Sequence, residues 1–155
     1  MTLRQRAEAF IKDRVVERPA QKLGLAGLRS KLAAEDTKLQ TRFAEAGGSE
    51  AHRKTLRHII AIERWGQTRL RSALGEPLRD DTNHDYKPDG AVPWAGLQGQ
   101  FAETRAQTLQ LVQQLVDAHI DPTKTVPHNQ FGLLSVAGWL RYLNFHASVE
   151  AKRIR

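Results

Sequence analysis

Apolar residues recur along most of the chain at intervals of three and four, the spacing of a helix with one buried face. Thr2 is a capping residue ahead of the row Leu3, Ala7, Phe10, Ile11 and Val15. Pro19 is expected to break that helix and open the next. A second row, Leu25, Leu28, Leu32, Leu39 and Phe43, runs to Gly47-Gly48. Ser49 caps a third helix that reaches about Leu74 before Gly75 and Pro77 stop it. Pro93 opens a fourth, with Trp94, Leu97, Phe101, Thr104, Thr108, Leu111 and Leu115 on one seam. The last helix is expected from about Leu133 to near Arg155. Between these lie an irregular stretch, residues 75–92, and a loop from Pro122 to Gly132. A loop as long as the first is usually functional or mobile. No useful strand alternation and no internal repeat is visible. The expected fold is all-α: one domain over residues 1–155, an antiparallel four-helix bundle with residues 1–18 as an additional N-terminal helix. Bundles of this kind build metal and ligand sites from side chains on facing helices.

Composition changes this picture in two places. The chain has 155 residues and no cysteine. That length gives one domain with a real core, and disulfides, thiolate metal sites and cysteine nucleophiles are excluded. No apolar run is long enough to span a bilayer. The opening residues, Met1 to Glu8, lack the apolar core of a signal peptide, so the cytoplasm is the expected location. The formal charge is +7, from 24 Lys+Arg against 17 Asp+Glu. The basic residues are spread over several helices and interleaved with acids, which is the pattern of solvated faces. A nucleic-acid-associated bundle is therefore the weaker alternative. Attraction to an anionic small molecule fits the same balance.

The candidate chemistry sits on two helices. Trp139, Leu143, His146 and Glu150 share one helical stripe. An imidazole and a carboxylate on an apolar stripe need partners, because burying either alone costs several kcal/mol on some scales. His58 has a similar setting within Leu56–Trp65. If the two helices face each other, His58, His146 and Glu150 form a mixed nitrogen/oxygen site suited to zinc, nickel or iron. From spacing alone, a plain structural His–Glu pair explains the stripe as well. Glu63, five residues after His58, is a weak catalytic candidate that could orient a ligand; the competing reading is an ion pair with Arg64 or Arg69. His84 is a second weak candidate, an acid or base in a loop covering the site mouth, against the reading of a polar turn. His128 reads as a loop residue, His119 as a helix-end residue and His52 as an exposed first-turn residue. Trp65 and Trp139 lie seven residues from His58 and from His146 respectively, where they could wall a cavity. With Trp94 they are otherwise core anchors, or subunit anchors of a homodimer.

These segments, Leu56–Trp65 and Ser135–Ile154, resemble the DinB-like superfamily of metal-binding four-helix proteins, and the layout agrees over roughly residues 20–155. The resemblance implies one histidine from the first long helix after the opening one, here His58. It also implies a His-x-x-x-His pair on the last helix, here His146 with Glu150 in the place of the third histidine. It further implies a divalent metal that activates a thiol or a water. The chemistry would be thiol S-transfer, hydrolysis or a thiol-dependent isomerisation, acting on a small-molecule substrate with a low-molecular-weight thiol as partner. The alternative within the same fold is a metal-free, stress-related binding or scaffold protein in which Glu150 only pairs with a base such as Arg57 or Arg153.

Overall fold

The computed structural model describes residues 1–155. Helix α1 (Leu3–Phe10) leads through a π-helical segment (Ile11–Glu17) into α2 (Arg18–Glu45); α3 (Glu50–Ala73), α4 (Trp94–Asp117) and α5 (Val136–Ala151) follow. The fold is an all-α bundle of four long helices with an N-terminal helical extension, as the periodicity predicts. Every member of the second row is buried, as are all members of the fourth-helix row except the half-buried Trp94.

Pairings between side chains give the directions. Glu63 meets Arg105 and Gln67 meets Thr108, so α3 and α4 run parallel. Glu35 meets Ser148 and Arg42 meets the Ile154 carbonyl, so α2 and α5 also run parallel. The α2/α4 and α3/α5 neighbours are antiparallel, and all four pairs pack directly. Parallel α3 and α4 require the chain to return the length of the bundle between them, which is the task of the long segment after α3.

That segment is fixed rather than loose. Arg69 of α3 donates to the carbonyls of Arg79 (2.6 Å) and Asp81 (3.0 Å). One turn further up, Arg64 donates to the Tyr86 carbonyl at 3.5 Å, and Arg57 donates to that of Pro88 at 2.9 Å. Arg53 reaches the Gly90 carbonyl at 3.5 Å. The loop thus climbs α3 in reverse, and arginines spaced along one helix satisfy its free carbonyls. A short 3₁₀ turn, Asn83–Tyr86, is capped reciprocally by Thr82 and Asp85.

Three expectations at the ends of elements need correction. Pro19 does not break the first helix. The chain widens into π turns, and the Val15 carbonyl that Pro19 cannot engage accepts instead from Arg141 Nε at 3.3 Å. The backbone departs from helical geometry at Gly24, at φ 66° and ψ 176°. Second, α1 buries none of its apolar row; Leu3 is 88% and Phe10 62% exposed. Third, a small antiparallel hairpin, β1 (Thr125–His128) and β2 (Gly132–Ser135), precedes α5, so that helix begins at Val136. Four residues per strand are too few for the alternation to stand out from the sequence. His119 ends α4 with φ 54°, while Ile120 N–H donates to the Leu115 carbonyl in a helix-terminating turn.

The core has two apolar clusters. One gathers Leu39, Phe43, Leu56, Ile60, Leu97 and Phe101, and the other centres on Leu28, Leu32, Trp65, Leu111 and Trp139. Where each helix passes from one cluster to the other, a polar layer intervenes. Arg105, 0% exposed, donates through Nε and Nη2 to both oxygens of Glu63 at 2.7 and 2.9 Å. Its Nη1 donates to the Leu32 carbonyl and to Asn144 Oδ1, each at 3.2 Å. Thr108 donates to Glu63 Oε1 at 2.8 Å. One guanidinium therefore ties all four long helices together.

Candidate functional site: two facing imidazoles

His58 of α3 and His146 of α5 meet with their Nε2 atoms 3.1 Å apart, rings 5.0 Å between centroids and inclined at 68°. Three features hold the two helices in this register. Gly66 of α3 lies against Leu143 of α5, where a Cβ would stand 2.6 Å from a Leu143 methyl. The Arg105 network joins Glu63, five residues beyond His58, to Asn144, two residues before His146. The start of α5 is clamped: Ser135 Oγ accepts from Gly138 N–H, and Ser135 N–H donates to Glu17 of the π segment at 2.8 Å. Gly138 leaves room for this clamp, since a Cβ there would fall 2.5 Å from the Glu17 carboxylate and the carboxylate would have to shift.

Both imidazoles favour the neutral form. Burial pushes His146 down to about 3, with His58 and His128 adding to the effect. Burial also lowers His58; Lys87, His84 and Arg153 add to the depression, and Glu150 opposes it. Tyr142 borders His146 with ring centroids 5.8 Å apart, and burial, then the Glu150 carboxylate, push its hydroxyl up to about 12. At neutral pH this phenol exchanges hydrogen bonds but not protons.

The expected three-residue set is brought together only in part. Glu150 lies on the same side of α5 as His146, yet its Oε2 is 3.2 Å from Arg153 Nη1. No group of three or more His, Asp or Glu side chains is arranged to hold a metal ion. Glu63 is committed to Arg105 and Thr108, not to Arg64 or Arg69, and it does not reach either histidine through a hydrogen bond. His84 is exposed on the 3₁₀ turn, close enough to His58 to disfavour its charged form.

His128 is not a loop residue. It is 5% exposed in β1, in contact with the rings of Trp65, Phe131, Trp139 and Tyr142. Its Nδ1 accepts from the N–H groups of Gln130 and Phe131 at 3.0 and 3.2 Å, which closes the hairpin turn. Burial, then Arg69, lower its pKa to about 4. His52 is half-buried beside Trp94 rather than exposed. Arg105 is missing from the sequence-predicted candidates, although a base on the stripe Phe101–Arg105–Thr108 is a signal that could have found it; Glu17 and His128 carry no comparable pattern. No helix is long and apolar enough to cross a membrane.

The chain matches the family model of the DinB superfamily over residues 3–149 and belongs to that superfamily. No curated protein and no solved structure matches it significantly.

Proposed function

We propose that this member of the DinB superfamily is a divalent-metal-dependent enzyme, with the cation held by Nε2 of His58 and Nε2 of His146 and by the Glu150 carboxylate after it leaves Arg153. The supporting observation is the 3.1 Å between the two Nε2 atoms. With metal–nitrogen bonds of about 2.0–2.1 Å, two ligand atoms on one cation stand roughly 2.9 Å apart at an octahedral angle and roughly 3.4 Å at a tetrahedral one. The pair falls between. Burial keeps both rings neutral, as ligands must be. The donor set suits zinc, nickel or ferrous iron. Such a cation would supply Lewis-acid activation of a thiol or a water at neutral pH. That chemistry serves S-transfer from a low-molecular-weight thiol, or hydrolysis, on a small-molecule substrate.

The remaining roles belong to the chain itself. Tyr142, protonated, offers a hydrogen bond beside His146. His84 and Lys87, near His58, give the mouth a proton carrier and a positive charge that suits an anionic substrate. Glu63 holds Arg105 in place and takes no part in proton transfer.

A second reading rests on its own observation. The same 3.1 Å is an N–H···N hydrogen bond between two neutral rings, and Glu150 already has Arg153 as partner. A metal-free scaffold or binding bundle would look like this. The nucleic-acid reading is weaker, because Arg57, Arg64, Arg69 and Arg105 spend their guanidiniums on the chain's own carbonyls and side chains. Elemental analysis of protein purified without a metal-affinity tag separates enzyme from scaffold. The enzyme reading expects about one equivalent, retained or tightened by Glu150→His. A preparation that is empty and takes up no zinc at neutral pH would leave the scaffold.

A further inference from the structure

Beside His146 the packing between the π segment and α5 leaves a cavity of about 100 Å³. Ile11, Val16, Phe131, Tyr142, Phe145 and Val149 line it, His146 and Glu150 complete it, and the surface it presents is almost wholly apolar. Its floor is Val16, 1% exposed, and its rim is Ile11, Phe145 and Val149, each 37–40% exposed, so it is reached from solvent. The rim residues are apolar side chains left half in water at the edge of the core cluster to which Val16 belongs.

We infer that this cavity binds the apolar group of a small molecule whose polar end meets His146 and Glu150. Size fixes the class. A cavity of about 150 Å³ lined by aliphatic and aromatic side chains takes benzene, so this one takes four or five carbon atoms, as a short branched chain or a small ring. Ile11, Val16 and Val149 offer no hydrogen bond, so a polar group of similar size would lose its hydration without compensation. His146 and Glu150, one helical turn apart, are the lining residues that carry an imidazole and a carboxylate, so the ligand's polar end is assigned to their side of the cavity. The identity of that polar end as a metal-binding atom rests on the metal reading above; the apolar pocket does not.

The test has two arms. In the first, metal-free protein is titrated with benzene and followed by methyl NMR. Selective shifts of the Ile11, Val16 and Val149 methyls support the pocket, and their absence overturns it whatever the metal does. In the second, zinc-loaded protein is titrated with unbranched aliphatic hydroxamates, from acetohydroxamate upward. Affinity is expected to rise about fourfold per added methylene, until the tail holds four or five carbons, and then to stop rising. Ile11→Ala should move that break to longer tails, and Val149→Trp should abolish the dependence on length. Both sites are half-exposed, so the fold tolerates the changes; zinc content is measured for each. Zinc bound with affinity independent of tail length overturns the link between cavity and His146. No zinc bound but benzene shifts present overturns the metal reading and supports the pocket.

Discussion

Replacing Arg105 by methionine should be among the most damaging single changes to this chain that leave its apolar rows intact. Methionine matches the stem of arginine and removes the guanidinium, so four hydrogen bonds are lost: two to Glu63, one to Leu32 and one to Asn144. Glu63, whose side chain is 2% exposed, keeps only Thr108 and becomes a buried carboxylate without its counter-charge. Breaking a buried pair from one side costs about 3–5 kcal/mol. At about 2–4 °C per kcal/mol for a chain of this length, the melting temperature should fall by about 6–20 °C. Glu63→Gln should cost a comparable amount: the amide oxygen can still accept from Arg105, but the fully buried guanidinium loses its counter-charge. Glu63→Leu combined with Arg105→Met should recover much of the loss, because no charge is then stranded. Urea unfolding of Arg105→Met, Glu63→Leu and the double variant gives the coupling directly. The network also sets the α3/α5 register, so histidine ring resonances of Arg105→Met should shift for both His58 and His146. A loss below about 1 kcal/mol, or a double variant no better than the single, would refute the reasoning.

Other outcomes follow from the same geometry. Folded-state values of about 4 for His128 and about 3 for His146 lie below the ordinary 6.5, so the unfolded chain takes up protons first. Stability of the metal-free protein is complete above pH 6.5 and falls as the pH drops toward 4, by up to about 1.4 kcal/mol per pH unit for each ring. His128→Asn, which keeps an acceptor for the hairpin turn, should flatten that slope; urea midpoints independent of pH between 7 and 4.5 would count against it. Gly66→Ala should cost about 1–3 kcal/mol by forcing α3 away from Leu143, and Leu143→Ala should relieve the clash, which calorimetric melting curves check. His58→Ala should give a helical protein that melts cooperatively, since the main apolar rows do not include His58; an unfolded circular dichroism spectrum would show instead that the imidazole pair is a structural necessity.

The helical rows and the caps Thr2 and Ser49 were legible because helical packing writes a period into the sequence. His58 and His146 were legible for the same reason: polar rings on apolar stripes. Three things were not. The α3/α4 direction depends on arginines that bond to backbone carbonyls, and a carbonyl has no signature in sequence. The behaviour of Pro19 depends on Arg141, 122 positions away, which supplies the missing donor. Glu150 was read by its position, one turn from His146, but the preference of its largely buried carboxylate for Arg153 is a choice among rotamers that spacing does not decide.

The central claim is that His58 and His146 are a metal's ligands and not merely each other's hydrogen-bond partners. X-ray absorption at the zinc edge of the zinc-loaded wild-type protein tests this most directly. The expected spectrum has nitrogen and oxygen neighbours at about 2.0–2.1 Å, with the outer-ring scattering of two imidazoles, reduced to one in His58→Ala. A spectrum without imidazole scattering, or one unchanged by His58→Ala, would contradict it.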